Sequence, residues 1–502
     1  MKILSMYLPQ FHRVKENDEW WGEGYTDWVS ARDAMPLYKG HYQPHIPQNQ
    51  YYYDLMEKSA LEWQAALMKK YGIDGQCIYH YWFKDGKQLL EKPAENLLKW
   101  RDIDMPFCFS WANQSWANSW SALKGVNIWC DARENKKKCD NDDGLLVEQQ
   151  YGDEKEWKEH FDYLLPFFRD ERYIKTENKP VFVLYQAGQI TVLNAMSECW
   201  NRWAREEGFE GIYFVGTNSG RTTSLDVALY PGPQTVMNDL LSKLPKSSLR
   251  CVDYQSVWDG LITKAYIERE CMVGAFVGYD DTPRRGSRGC VIEHASPEIF
   301  KENFTKLLAI QANHNQPFVF VNAWNEWGEG MHLEPDEKNG TAYLEAVRYC
   351  KSHYGEYMPE AKRIEESCYE KLGKEIVGYK GKIARYESYW RIMDKWLLLK
   401  EQKKSLSNIL EEKGCYKVAL YGVGMLGKHL ICDLSGSNVK IVCAIDKNSV
   451  EGQFDFPIID LNGQIPVADA VIVTPVYEFE KIRIQLNEKG IKHVISIESL
   501  FE

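Results

Sequence analysis

Eight short runs of hydrophobic, β-prone residues recur along the chain up to Glu326, and each ends in polar or turn-forming residues. Segments with apolar residues at three- and four-residue spacing lie between most of them, which is typical of amphipathic helices, as in 54–71, 154–168, 192–207 and 297–313. Strands alternating with helices predict a (β/α)8 TIM barrel, an α/β fold with a parallel sheet. The eight runs are "KILSMYLP", "IDGQCIYHYW", "MPFCFSWAN", "PVFVLYQ", "GIYFVGTNS", "DVALYPG", "MVGAFVGYDD" and "PFVFVNAWNE".

Polar and aromatic side chains follow five of these eight runs. A single Tyr or His at a strand end is usually structural, but the C-terminal ends of barrel strands meet at one mouth, where barrel enzymes build their active sites. We therefore expect a binding site there, with large loops at 9–53 and 112–150 around it. The candidates from the first four of these ends are Tyr7 and His12, Tyr79 and His80, Trp111 and Asn113, and Asp280 and Arg285.

The fifth strand end lies in the segment "FVFVNAWNEWGEGMHLEPD", which starts as a strand and then becomes polar. Glu326 and Glu329 are three residues apart, so their carboxylates can face one cavity and act as an acid and a base. Trp324 and Trp327 would supply an apolar wall that separates the two pKa values and a face on which a sugar stacks. Asn325 would hold a hydroxyl or orient a carboxylate. The spacing equally allows both Glu to cap a helix N-terminus.

Composition narrows the class of protein. The 502 residues suggest two or three domains, and a net charge of −11 argues against nucleic-acid binding. The aromatic fraction of 13% suits either sugar binding or a large core. We expect no membrane span, because no run of about 18 apolar residues occurs, and no signal peptide. The 13 cysteines contain no CxxC pair, which predicts free thiols, no metal site and a cytoplasmic location.

The chain changes character towards its C-terminus. We predict a barrel at 1–355, a charged helical connector at 356–413 and a small Rossmann-like parallel-sheet domain at 414–502. In that last part Gly422, Gly424 and Gly427 form GxGxxG, and Asp446 follows a strand-like run at the spacing of a dinucleotide fingerprint. Two interpretations stay open: a nucleotide cofactor bound by these four residues, or glycines that serve only a tight turn and helix–strand packing.

Several motifs in 1–355 resemble a known family. In order they are "YLPQFH", "NDEWWGEGYTDW", "GHYQPHIP", "YGIDGQCIYHYWF", "PFCFSWANQSW", "YDDTPRR" and "NAWNEWGEGMHLEPD". They resemble the WbsX-type polysaccharide-biosynthesis proteins, which carry a glycoside hydrolase family 99-like domain. The resemblance implies a (β/α)8 barrel and a Glu pair in which Glu326 is the base on a sugar 2-hydroxyl and Glu329 is the general acid. Gln114 departs from it, because an acidic residue is expected there.

The resemblance implies an enzyme that needs no cofactor for its barrel chemistry. Its expected substrate is an α-linked, manno-configured oligosaccharide or lipid-linked glycan in O-antigen or capsule metabolism, and its expected reaction is that of a glycoside hydrolase. Two alternatives stay open. One is a glycosyltransferase that uses the same cavity, and the other is a carbohydrate-binding protein without catalysis.

Overall fold

The computed structural model of the protein describes residues 1–118, 127–128, 130, 143–217, 224–242, 244, 249–446 and 454–501. Parts of the predicted 112–150 loop thus lie outside the described residues. The chain forms two compact units, Met1–Ser367 and Cys368–Glu502. The predicted three-part division with boundaries at 355 and 413 stays a prediction.

The first unit is a barrel of parallel strands. All eight predicted runs are strands, and the ring closes through the seventh, whose first part pairs with β6 and whose second part pairs with β8. The predicted (β/α)8 fold is confirmed. The strands are β1 (Lys2–Tyr7), β2 (Gly75–Trp82), β3 (Phe107–Trp111), β4 (Lys179–Leu184), β5 (Tyr213–Thr217), β6 (Val227–Tyr230), β7 (Met272–Val273 and Ala275–Phe276) and β8 (Phe318–Asn322).

Helices cover the outside of the barrel, and shorter ones lie in the loops at its mouth. Helix α5 begins with a capping box in which Asp153 and Glu156 satisfy each other's backbone N–H groups, and Ser296 caps α10. The helices are α1 (Lys15–Trp21), α2 (Asp27–Asp33), α3 (Lys58–Tyr71), α4 (Lys92–Lys99), α5 (Glu154–Arg169), α6 (Leu193–Glu206), α7 (Gln234–Leu241), α8 (Tyr254–Ile267), α9 (Thr282–Arg285) and α10 (Pro297–Asn313).

Short strands lie in the loops. Immediately after β8, the hairpin of β9 (Asn325–Glu326) and β10 (Met331–His332) carries the polar motif. The remaining ones in the described barrel unit are Gln88–Leu89, Trp116–Ala117, Leu145–Val147, Lys175–Thr176, Arg250–Asp253 and Cys290–Glu293.

The second unit contains a parallel sheet flanked by helices. Its strand order, β13–β12–β11–β14–β15, agrees with the predicted Rossmann-like topology. Helix α11 contributes Ile392 and Trp396 to its core. Helix α11 (Ala342–Glu401) begins in the first unit and ends in the second. The other elements of the second unit are α12 (Leu406–Glu412), β11 (Lys417–Tyr421), α13 (Met425–Leu434), β12 (Lys440–Ile445), β13 (Ile458–Ile459), β14 (Ala470–Val473), α14 (Phe479–Glu488) and β15 (Val494–Ser496).

Two further findings bear on the composition. The eleven cysteines that the structure describes are free. Within the described part of the chain, no helix has both the length and the apolar character that crossing a membrane requires.

The glycine-rich turn of the second unit generates a stability prediction. A Cβ on Gly427 would lie 2.3 Å from the carbonyl oxygen of Gly422, whereas one on Gly424 would meet no atom within 4 Å. We therefore expect Gly427→Ala to destabilise this unit by about 1–3 kcal/mol, the usual cost of overpacking. Gly424→Ala is the matched control and should leave the unit's transition in scanning calorimetry unchanged. Equal transitions for the two variants would contradict this packing role.

Candidate active site

A cavity opens at the C-terminal ends of the barrel strands, and we call it the mouth cavity. It contains both acidic residues of the motif, which the barrel brings together with side chains from several other loops. The polar and aromatic groups that line it include Tyr79, Tyr81, Gln114, Trp116, Tyr185, Asp281, Arg284, Arg285, Glu326 and Glu329. Paired carboxylates beside aromatic rings are typical of sites that act on sugars.

Arg284 is the centre of the charged groups in this cavity. It is buried, and its guanidinium donates to Glu329 Oε1 through Nη1 at 2.7 Å and to Glu326 Oε2 through Nη2 at 3.0 Å. The same guanidinium donates to both oxygens of Asp27, at 3.0 and 3.1 Å. One cation from the β7 loop therefore holds three carboxylates, one from the β1 loop and two from the β8 loop.

The charge balance perturbs the pKa of both glutamates. Burial and the neighbouring charge of Glu329 raise the pKa of Glu326, and Arg284 opposes them. Burial also raises the pKa of Glu329 against the effect of Arg284. For Arg284, burial favours the neutral form, but the charges of Asp27 and the two glutamates outweigh it and raise its pKa well above the ordinary value. The pKa values of both glutamates are thus shifted in the direction that favours protonation.

The local fold explains how two residues so close in sequence reach the same cation. Glu326 ends β9, and a single 3-10 turn from Trp327 to Glu329 leads into β10. Gly330 follows with φ of 59°, which favours glycine. At Gly328 a Cβ would lie 2.5 Å from Asp27 Oδ1, so any side chain there would displace the acid that binds Arg284.

The other predicted residues of the motif lie outside the mouth cavity. Trp324 is fully buried, and Trp327 donates from Nε1 to Glu334 at 2.8 Å and stacks on His332 at 3.7 Å between ring centres. Asn325 accepts from the backbone N–H of Leu8 and donates to its carbonyl oxygen. The tryptophans therefore do not form the expected wall of this cavity, because their rings pack behind the motif.

Strand alternation separates the candidates on β2. Tyr79 and Tyr81 line the mouth cavity, whereas His80 is buried on the opposite face and contacts His160 of α5 at 2.8 Å. Successive side chains of a strand point to opposite faces, so adjacent residues cannot both enter the barrel. Burial lowers the pKa of His80 to about 3, so it is a neutral packing residue.

Two further strand-end candidates also face away from the cavity. Trp111 donates to the carbonyl oxygen of Trp82 at 2.9 Å and packs against His160. Tyr7 is buried and donates to Gln64 of α3 at 2.9 Å, while its neighbour Met6 lines the cavity. The predicted runs coincide with the strands, but of these strand residues only Tyr79 points into the mouth cavity.

The predicted site residues on loops also divide between those that line the mouth cavity and those that lie elsewhere. Arg285 lines the mouth cavity and pairs with Asp281 at 3.1 Å. Asp280 lies in a neighbouring cavity, where it accepts from His41 and Gln43. Asn113 is buried and fixes a loop through the backbone of Gln186. His12 is buried away from the mouth cavity, and burial lowers its pKa.

Sequence reasoning gave no site role to the residues that position the pair. Asp27 and Arg284 lie in different loops, far apart in sequence, and nothing local connects them.

Glu334 is buried and accepts from Tyr53, Gln64 and Trp327. Its burial raises its pKa to about 7 in spite of these three donors. The available signal was the run of acids after "WGEG", which continues to Glu334 and Asp336.

In the second unit, the predicted cofactor residues are occupied by structural contacts. Gly422 has φ of 93°, and its carbonyl oxygen accepts from Thr474 at 2.8 Å. Asp446 accepts from the backbone N–H of Val423 at 2.8 Å, so its carboxylate caps the glycine-rich turn. Gly424 is the N-cap of α13, and Gly427 allows the close packing described above. Nucleotide binding stays a prediction.

Comparison with known proteins gives one family and two curated relatives. The family model described as "Glycosyltransferase WbsX" matches residues 3–347. The relatives are both described as "Uncharacterized protein WxcX" and come from two strains of Xanthomonas campestris pv. campestris. Each is 28% identical over 361 residues, which is 69% of this chain and 49% of the relative. The chain therefore spans about half the length of the curated relatives it matches.

Solved structures with similar folds include glycoside hydrolases. A GH99 endo-alpha-mannosidase from Bacteroides thetaiotaomicron is 12% identical and has a TM-score of 0.43, covering 71% of this chain and 98% of its own. A "Glycoside hydrolase-like protein" is 10% identical with a TM-score of 0.43, covering 70% and 93%. A family 5 xyloglucanase from Paenibacillus pabuli has 9% identity and a TM-score of 0.33, covering 59% and 90%.

The buried charge cluster generates a stability prediction. Asp27→Asn leaves Arg284 with one carboxylate fewer and weakens the acceptor of the Gly328 backbone N–H. We expect a loss of about 1–3 kcal/mol in the free energy of unfolding, because the amide leaves a buried guanidinium N–H without its acceptor while Arg284 keeps its pairs with Glu326 and Glu329. Asp104→Asn, which breaks an exposed pair with Lys69, is the control and should change little. Chemical denaturation of both variants measures the difference, and similar losses would contradict the assigned role.

Proposed function

Because this chain belongs to the family described as Glycosyltransferase WbsX, we propose that its barrel is a glycan-processing enzyme of polysaccharide biosynthesis. We further propose that it breaks the glycosidic bond of an α-linked, manno-configured sugar in an oligosaccharide or lipid-linked glycan. One observation carries this proposal: Glu326 and Glu329 both line the mouth cavity while sharing one guanidinium. The ion pairs do not divert either acid away from the cavity, because Arg284 lines it as well.

The proposed chemistry gives the two glutamates different tasks. Glu326 takes a proton from the sugar 2-hydroxyl, whose oxygen then attacks the anomeric carbon as the bond to the leaving group breaks. Glu329 donates a proton to the departing glycosidic oxygen. A 1,2-anhydro sugar results. Water then opens it as Glu329 takes a proton from the water and Glu326 returns its proton to the 2-oxygen, which restores both carboxyls. Retention of configuration follows from these two inversions at the anomeric carbon.

The electrostatics of the cavity support a pair that holds one proton. Two glutamates that share one buried cation favour the state with one neutral and one ionised carboxyl. Burial and the charge of Glu329 raise the pKa of Glu326 to about 8, so the proposed roles require its proton to pass to Glu329 before the reaction. Glu329 is the more open of the two, with its side chain 25% exposed against 8% for Glu326. That openness suits the residue that must meet both a leaving group and, later, a water molecule.

Aromatic and basic groups around the pair suit the proposed sugar subsites. Tyr79, Tyr185 and Trp116 line the cavity with rings that can contact the apolar faces of sugars. Arg285 and Gln114 offer hydrogen-bond donors on the same lining. In this proposal Trp324, Trp327 and Asn325 act indirectly, by fixing the turn that carries the acids.

Glycosyl transfer is the second candidate, and the family's description favours it. The same pair would then break a donor glycoside and pass the sugar to an acceptor hydroxyl in place of water. The two candidates share their first step and differ in what attacks the anomeric carbon afterwards.

Leaving-group dependence tests the roles of the two acids. We expect Glu329→Gln to lose about 10²–10⁴-fold in turnover of natural glycosides and to keep far more activity on glycosyl fluorides, which need no protonation. Glu326→Gln should lose activity on both substrates. Steady-state kinetics on α-mannosyl fluoride and on α-mannosides measure this. The opposite pattern would reverse the two roles, and full activity in both variants would refute the pair.

Product analysis distinguishes hydrolysis from transfer. Wild type is incubated with lipid-linked or free α-mannosides, with and without nucleotide sugars. Release of free sugar without any nucleotide-sugar donor would support hydrolysis and exclude a dependence on that donor. Product that forms only with a nucleotide sugar would refute hydrolysis. Saturable binding of glycan without any product would refute both catalytic candidates and support a carbohydrate-binding protein.

A further inference from the structure

A second cavity, of about 390 Å³, lies beside the motif and contains three potential metal ligands. We call them the histidine cluster: His45 from the β1 loop, His332 from β10 and Asp336 just after it. Their ligand atoms all lie within 4.8 Å of one another. His332 Nε2 is 2.9 Å from His45 Nδ1 and 3.9 Å from Asp336 Oδ2. Two atoms that each lie about 2.0–2.2 Å from one ion can be up to about 4.4 Å apart, so one ion can bridge both separations, at a narrow angle towards His45 and a wide one towards Asp336.

The ring orientation of His332 is fixed in the way that metal ligands require. Its Nδ1 lies 3.0 Å from the carbonyl oxygen of Glu334, so Nδ1 carries the proton and Nε2 presents a lone pair to the cluster. A metal-bound imidazole commonly donates its other N–H to a carbonyl group, which holds the tautomer. Asn339 likewise donates to both oxygens of Asp336, through its backbone and its side chain.

The cluster has the charge and the surroundings that suit a cation. His332 and Asp336 are buried, and His45 is half-buried. Two imidazoles and one carboxylate with open positions on one side are a ligand set for zinc and related divalent transition metals. The cavity leaves room for water molecules at those positions.

We propose that His45, His332 and Asp336 bind one divalent transition-metal cation, with Zn²⁺ as the probe. The cation would tie the β1 loop to β10, and β10 pairs with the strand that carries Glu326. It would therefore stabilise the turn of the active site from behind, outside the mouth cavity. The competing arrangement is a simple hydrogen bond from His45 Nδ1–H to His332 Nε2, which needs no metal.

Metal content of the full chain separates these two arrangements. The protein is stripped with a chelator, incubated with Zn²⁺ and desalted, and its zinc is measured by mass spectrometry. We expect wild type to retain about one equivalent and to melt at a higher temperature with Zn²⁺ than without. His45→Gln should weaken binding by about tenfold or more. His294→Gln is the control, since His294 lines the same cavity outside the cluster.

Three outcomes would overturn the proposal. They are no zinc on wild type, equal zinc on wild type and His45→Gln, and an equal loss in His294→Gln. The first outcome is measured on wild type alone, so it can refute the proposal even if a variant fails to fold. Because metal content and melting temperature are the readouts, the result is independent of whether the mouth cavity hydrolyses or transfers sugars.

A different observation concerns α11, which exposes an apolar stripe in the second unit. Tyr379, Ile383, Tyr386, Trp390 and Leu397 are between 57% and 69% exposed. Their spacing of four, three, four and seven residues is that of the a and d positions of a heptad repeat. Contiguous apolar residues of this size on a surface mark an interaction site. We call these five residues the seam.

The seam lies about a third of a turn around α11 from the residues that pack within the second unit, and the two sides meet at Met393. Ile392 and Trp396 belong to the core of that unit, and Met393, which takes the missing position in the repeat, packs partly against it. The exposed rings therefore cannot be accounted for by the packing of this unit.

Charges beside the seam identify a second copy of this chain as the occupant. In a parallel, in-register pair of α11 helices, the residue just before each a position is a g position. It faces an e position on the other helix, five residues further along the sequence. Lys382 then faces Glu387 of the second copy, and the pairing occurs twice by symmetry. We propose that α11 forms a parallel two-stranded coiled coil that dimerises the protein through the seam.

Sedimentation and cross-linking of the full chain test the dimer. We expect wild type to sediment as a dimer, and Ile383→Glu with Trp390→Glu to sediment as a monomer. Leu398→Glu is the matched control, because Leu398 is 50% exposed on the same helix but outside the seam, and it should remain dimeric. Under mild oxidation Ile383→Cys should form a cross-chain disulfide and Leu398→Cys should not. A monomeric wild type, a dimeric seam variant or a monomeric Leu398→Glu would each overturn the proposal.

Discussion

The buried guanidinium of Arg284 forms the ion pairs on which the candidate active site depends. It pairs with Asp27 of the β1 loop and with Glu326 and Glu329 of the β8 loop, so the cluster joins three loops of the barrel mouth. Charges without partners are very costly in a protein interior, so each of these groups constrains the position of the others. The motif glycines follow from the same constraint, since a side chain at Gly328 would collide with Asp27.

A second set of contacts holds the motif from behind. Glu334 accepts hydrogen bonds from Trp327, Gln64 and Tyr53, and Asn325 binds both backbone groups of Leu8. These bonds link β1, α3 and the β9–β10 hairpin into one network. A site whose supporting side chains are locked in this way holds its reacting groups in a fixed geometry, which acid–base chemistry requires. The aromatic richness of the motif therefore stabilises the turn and does not line the cavity.

Several of the predicted site residues lie outside the mouth cavity for one shared reason. At the end of β2, Tyr79 enters the cavity and His80 contacts α5, although both are polar, aromatic and adjacent in sequence. In a parallel barrel both faces of each strand are buried, so the alternation of apolar and polar residues that would reveal the inward face is missing. Asp280 and Asp281 are separated between two cavities for a similar reason, because a loop turns between them.

The sequence by itself determined the strands, the barrel, the Rossmann-like sheet and the position of Glu326 and Glu329 at the end of the eighth strand. These features follow from local runs of apolar residues and from turn residues, which act over a few positions. Only the tertiary structure brought Asp27 and Arg284, 257 positions apart, to the same carboxylates. Such contacts arise from the order in which the strands close the barrel, and no local pattern in one sequence encodes which distant side chains then meet.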